Sequence, residues 1–64
     1  MSGLVRFTEN FGNAGRAITL NALAIVQLMP LPGGPGCRIF LASRELSVID
    51  NYDDVVREVS EALA

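Results

Sequence analysis

The chain contains no histidine, no lysine and no tryptophan, and a single cysteine. Without histidine there is no Ser-His-Asp or Cys-His arrangement for nucleophilic catalysis. A zinc site would have to be assembled from one thiolate and carboxylates, a donor set foreign to structural zinc. Cys37 alone cannot form an intrachain disulfide. Long apolar runs are also missing. "AITLNALAIVQLMPL" covers residues 17–31, is interrupted by Thr19, Asn21 and Gln27, and falls short of the ~20 residues a membrane span needs. The first residues lack a basic region running directly into an apolar core, so no export signal is expected. With one free cysteine, the expected location is cytoplasmic.

What is present is apolar and small. Half of the 64 residues are hydrophobic, which excludes a chain disordered by composition. The length allows a single domain over residues 1–64. A lone core below ~70–80 residues rarely supplies more than ~3–5 kcal/mol, and disulfides, metals or oligomerisation make up the difference. The first two lack their residues here, so a homo-oligomer is expected, with a symmetric dimer as its commonest form.

Charge is unevenly placed. Residues 1–49 carry Arg6, Arg16, Arg38 and Arg44 against Glu9 and Glu45, net +2. Residues 50–64 carry Arg57 against Asp50, Asp53, Asp54, Glu58 and Glu61, net −4. The overall −2 is not the footprint of a nucleic-acid-binding domain. A nucleic-acid-binding regulator is kept as the alternative, with Arg6, Arg16, Arg38 and Arg44 as its contacts. Arg6 and Arg38 are the stronger pair, able to share one sheet face.

Along the chain, "LVRFTEN" (4–10) and "RAITLN" (16–21) read as strands of a hairpin. The turn between them is "NFGNAG", where Gly12, Asn13 and Gly15 tolerate positive φ. For "NALAIVQLMPL" the expectation is one helical turn capped by Asn21 and a strand from Ile25 to Met29. The rival is a helix from Ala22 to Leu28 ended by Pro30. In the strand reading Ile25 and Met29 share one face, Val26 and Leu28 the other. "CRIFLAS" (37–43) and "LSVI" (46–49) add two strands. Cys37, Ile39 and Leu41 lie on one side of the first, Arg38 and Phe40 on the other. In "NYDDVVREVSEALA", Tyr52, Val55, Val56, Val59 and Leu63 recur at helical spacing. Asp50 or Asn51 can cap this helix, Asp53 and Asp54 suit its N-terminal dipole, and Arg57 can pair with Asp53 and Glu61 four residues away. The expected class is α+β: an antiparallel sheet of four to five strands followed by one C-terminal helix.

"PLPGGPG" (30–36) invites a functional reading. A phosphate-binding loop would carry lysine and open a helix, whereas this segment opens the strand "CRIF". Its glycines make it flexible, unlike a preset polyproline ligand. It is expected to connect two strands. Asp53 and Asp54 diverge by about 100° on a helix and do not form a carboxylate pair. Cys37 is expected to be a buried, inert thiol. No catalytic, metal or cofactor residue is expected, and no enzyme. One helix covers only one side of such a sheet, so apolar residues are left for an interface. Phe40, Met29, Leu28 and Ile39 are the interface candidates, with the helix-free face or an edge strand as the contact. The other contact in view is an unidentified protein partner.

The succession "RFT", "ITLNALAIVQL", "RIFLA", "LSVIDNYDDVVREV" resembles the small FlbD-like proteins linked to flagella and swarming motility, and related small bacterial proteins. The likeness spans nearly the whole chain. It includes an apolar residue before Asn21, Ile25 four residues on, and the segment from Val48 to Val59 leading into the helix. The Pro/Gly loop is longer than in that group, and "ASRE" stands where a Gly-Lys turn is common. The resemblance implies a regulatory or interaction protein and carries over no catalytic residue. The carbon-storage regulators share the order of five strands and a helix, but their RNA-reading residues have no counterpart here.

Overall fold

The computed structural model describes residues 3–12 and 14–64, so the expected turn residue Asn13 lies outside the described residues. In chain order the elements are β1 (Leu4–Phe11), β2 (Ala14–Asn21), a 3-10 turn (Ala22–Ala24), β3 (Ile25–Pro30), β4 (Cys37–Leu41), β5 (Glu45–Val48) and α1 (Tyr52–Leu63). The strands form one antiparallel sheet in the order β2-β1-β5-β4-β3, and α1 packs on one side of it. This is the expected α+β architecture. Among the described residues no helix is long and apolar enough to cross a membrane.

β1 and β2 pair along their whole length, from Leu4↔Asn21 to Phe11↔Ala14. The hairpin closes at Gly12, whose φ of 65° suits a residue without Cβ. Gly15, expected in the turn, sits inside β2 and needs no positive φ. Asn21 caps the 3-10 turn, its side-chain oxygen accepting the Leu23 N–H at 3.0 Å. The helix alternative through Leu28 does not form.

β3 departs from simple alternation. A register shift between Ile25 and Gln27 places Val26 at a bulge. Beyond it the phase is reset, so Ile25 and Leu28 both pack against the core while Val26 and Met29 are exposed. The expected pairing of Ile25 with Met29, and of Val26 with Leu28, is therefore corrected: an extra residue in one strand breaks the period of two. The strand runs one residue beyond Met29 and ends at Pro30, opposite Cys37. The Leu31 N–H reaches the Gly36 carbonyl at 3.3 Å, which turns the backbone of Pro30 away from β4 by the alternation of antiparallel ladders. A missing N–H there costs no hydrogen bond. The loop to β4 is the expected connector, with Gly33 and Gly36 at φ of 79° and 124°.

The sheet is built from two local units, the β1–β2 hairpin and the β3–β4–β5 meander. They meet narrowly, at Glu9↔Val48. The Ile49 N–H donates to the Thr8 carbonyl at 2.9 Å, and the Thr8 N–H donates to Asp50 Oδ1 at 2.7 Å. Asp50 thus serves as the next strand partner for β1 rather than as a helix cap. Asn51 is the cap, accepting the Asp53 N–H at 2.9 Å. Val55 and Val59 of α1 are buried against Val5, Phe7, Cys37, Ile39, Leu46 and Val48. Tyr52 and Val56 are half-buried, and Leu63, expected on the apolar stripe, is exposed. Arg57 bonds Asp54 at 3.2 Å and approaches Glu58 at 3.9 Å instead of pairing with Asp53 and Glu61.

Candidate interaction surface

Strand alternation sorts the side chains. Val5 and Phe7, Cys37 and Ile39, and Leu46 and Val48 point under α1, so their neighbours point to the other side. That helix-free side carries Leu4, Arg6 and Thr8 from β1, Ala17 and Thr19 from β2, Glu45 and Ser47 from β5, Arg38 and Phe40 from β4, and Gln27 and Met29 from β3. Its large apolar members are open to solvent: Leu4 is 59 % exposed and Met29 43 %, with Ile49 nearby at 53 %. Phe40, on the same side, is half-buried.

The four interface candidates separate. Phe40 and Met29 lie on this open side. Ile39 is fully buried beneath α1, and Leu28 is half-buried against the same core. Ile39 is therefore corrected from interface to core: a β4 residue flanked by two outward neighbours must point inward.

The four arginines are not brought together. Arg6 and Arg38 share the helix-free side, with the carboxylate-bearing Glu45 on the same side, and neither makes an ion pair among the described residues. Arg16 is on the opposite side, bonded to Glu9 Oε1 at 2.9 Å with its guanidinium 4.3 Å from the centre of the Phe11 ring. Arg44 stands in the turn between β4 and β5, where its carbonyl accepts the Leu41 N–H at 2.7 Å.

Cys37 is buried, and its thiol donates weakly to the Arg38 carbonyl at 3.7 Å. Burial pushes its pKa up, and the Asp50 charge adds to this against an opposing backbone hydrogen bond at Met29. Such a thiol is a poor nucleophile at neutral pH. Among the described residues no cluster of His, Cys, Asp or Glu could hold a metal ion. An open hollow of about 360 Å³ lies between Gly3, Leu23, Ala62, Leu63 and Ala64. Among the described residues no lining side chain is polar.

The sequence does not single out β2: among the described residues its outer edge has no neighbouring strand, and its outward backbone belongs to the small residues Gly15, Ala17 and Thr19, a feature legible only as a strand without proline. No family model, curated protein or solved structure matches this chain.

Proposed function

We propose that the chain is a non-enzymatic, homo-oligomeric interaction or regulatory module that works as a symmetric dimer in the cytoplasm. The observation that carries this reading is the one-sided cover of the sheet. A single 12-residue helix shields one side of five strands, leaving both sheet edges and a side with exposed Leu4, Ile49 and Met29 uncovered. A core as small as Val5, Phe7, Ile39, Leu46, Val48, Val55 and Val59 gains from a second chain, which an open sheet edge or the uncovered side could receive. The absence of histidine and the buried, protonated thiol support a role in binding rather than catalysis. The resemblance to FlbD-like proteins supports the same class.

A nucleic-acid-binding regulator is the second reading. It is favoured by Arg6 and Arg38 on one side without ion-pair partners among the described residues, and opposed by Glu45 on that side and the net charge of −2. Sedimentation measures the first reading; a filter-binding titration against salt measures the second. Binding with a steep salt slope would favour nucleic acid. A monomer across the working concentration range would remove the dimer.

A further inference from the structure

We propose that the outer edge of β2 is the seam of the dimer, pairing antiparallel with β2 of a second copy across a two-fold axis at Ala17. This rests on the homo-oligomeric reading above and specifies its interface. The Ala22 N–H donates to the Gly3 carbonyl at 2.6 Å, which fixes the phase of the β1–β2 ladder. In an antiparallel pair the bonded positions alternate. Ala22, Leu20, Ile18 and Arg16 therefore turn their backbone groups toward β1, while Thr19, Ala17 and Gly15 turn theirs outward. The other side of β1 agrees: Thr8, opposite Ala17, directs its N–H and carbonyl toward Asp50 and Ile49. Among the described residues, the outward N–H and C=O groups of Gly15, Ala17 and Thr19 face no other strand.

The two edges of the sheet differ. β3 is guarded by the bulge at Val26 and by Pro30, whose backbone points outward with no N–H to offer. These are the features that keep a sheet edge from pairing. β2 has neither. Its one charge, Arg16, is held by Glu9 and Phe11 on the helix side, so a second copy brings no unmatched like charge to the seam.

A second copy is the occupant that this edge fits. With the axis at Ala17, the outward residues pair among themselves: Ala17 with the partner's Ala17, Gly15 with the partner's Thr19. Each outward donor then meets an outward acceptor, and the small side chains allow close approach. On the helix side Ile18 and Leu20, half-buried at the lip of the core, come beside the aliphatic stem of the partner's Arg16 and beside the partner's Ala14. The two-fold also exchanges the ends of β2. The hairpin end of one copy, with Phe11 58 % exposed, comes alongside the 3-10 end of the other, with Leu23 79 % exposed. The two five-stranded sheets become one continuous sheet, and Phe40 and Met29 lie three and four strands from the seam.

The test uses the full chain. Thr19→Pro removes one outward N–H that the monomer does not use. Sedimentation is expected to show dimerisation weakened at least tenfold, with an unchanged circular dichroism spectrum. Independently, in a Cys37→Ala background, Ala17→Cys is expected to form a disulfide-linked dimer under mild oxidation. Bonded antiparallel partners place Cα atoms about 5.5 Å apart, within disulfide reach. Phe40→Cys in the same background is expected to remain uncross-linked. If Thr19→Pro fails to fold, the cross-links alone decide. Cross-linking through position 40 and not 17, or a Thr19→Pro protein that dimerises as wild type, overturns the β2 seam but leaves the dimer standing. A wild-type monomer overturns both.

Discussion

Replacing Asp50 by alanine tests how the two halves of the sheet are held together. Thr8 is half-buried, and its N–H has the Asp50 carboxylate as partner at 2.7 Å, across 42 residues of sequence. A hydrogen bond to a charged group contributes about 1.5–3 kcal/mol. The partial exposure of Thr8 lets water take over some of that, so a loss of about 1.5–2 kcal/mol is expected. Against the ~3–5 kcal/mol that a core of this size supplies, this is a large fraction. For a domain of this length each kcal/mol moves Tm by about 4–8 °C, so the midpoint should fall by roughly 6–16 °C. Asp50→Asn keeps an acceptor oxygen and loses only the charge, and should restore about half of the difference. Melting followed by circular dichroism at fixed chain concentration measures both, since dimerisation makes Tm concentration-dependent. Asp50→Ala melting with wild type would refute the clamp and leave Glu9↔Val48 and the Ile49 hydrogen bond to hold the halves.

Three further outcomes are expected. Val55→Ala deletes two methyl groups from a fully buried site and should cost about 2–3 kcal/mol in urea titration. Val56→Ala, at a half-buried site, should cost less than half as much. Gly36→Ala puts a Cβ 2.9 Å from the Val48 carbonyl oxygen at a φ of 124°, and should lose about 1–3 kcal/mol; Gly34→Ala meets nothing within 4 Å and should stay within about 0.5 kcal/mol. For Cys37, whose pKa is raised in the folded chain, the unfolded chain gives up its proton first. Its contribution to stability is therefore present below the thiol's ordinary pKa and is lost as pH rises through that value toward the folded one. Urea midpoints across alkaline pH should fall more steeply in wild type than in Cys37→Ala; parallel slopes would refute the burial of the thiol.

Much of this fold is legible in the sequence because its units are local. The β1–β2 hairpin follows from alternating Val5 and Phe7 and a glycine turn, and α1 follows from the spacing of Val55 and Val59 behind the Asn51 cap. The 3-10 turn followed by a strand is legible in Asn21 and the β-branched pair Ile25 and Val26. The features that escape it depend on distant partners. Nothing near Asp50 announces Thr8, so the carboxylate reads as a helix cap. The bulge at Val26 depends on register against β4 and brings Ile25 and Leu28, expected on opposite faces, to the same one. Ile39 reads as one apolar strand residue among several, and only the position of α1 makes it core. Among the candidate contacts, alternation places Phe40 with Arg38, but Met29 joins them only through the register of β3 against β4, Arg16 is turned to the side opposite Arg6 by the register of the hairpin, and Arg44 falls in the β4–β5 turn.

The central claim is that this small one-sided sheet is completed by a second copy of itself. Sedimentation equilibrium of the full chain at tens of micromolar tests it most directly. A species of about twice the 6.8 kDa chain mass is predicted. A folded species of one chain mass throughout that range would contradict it.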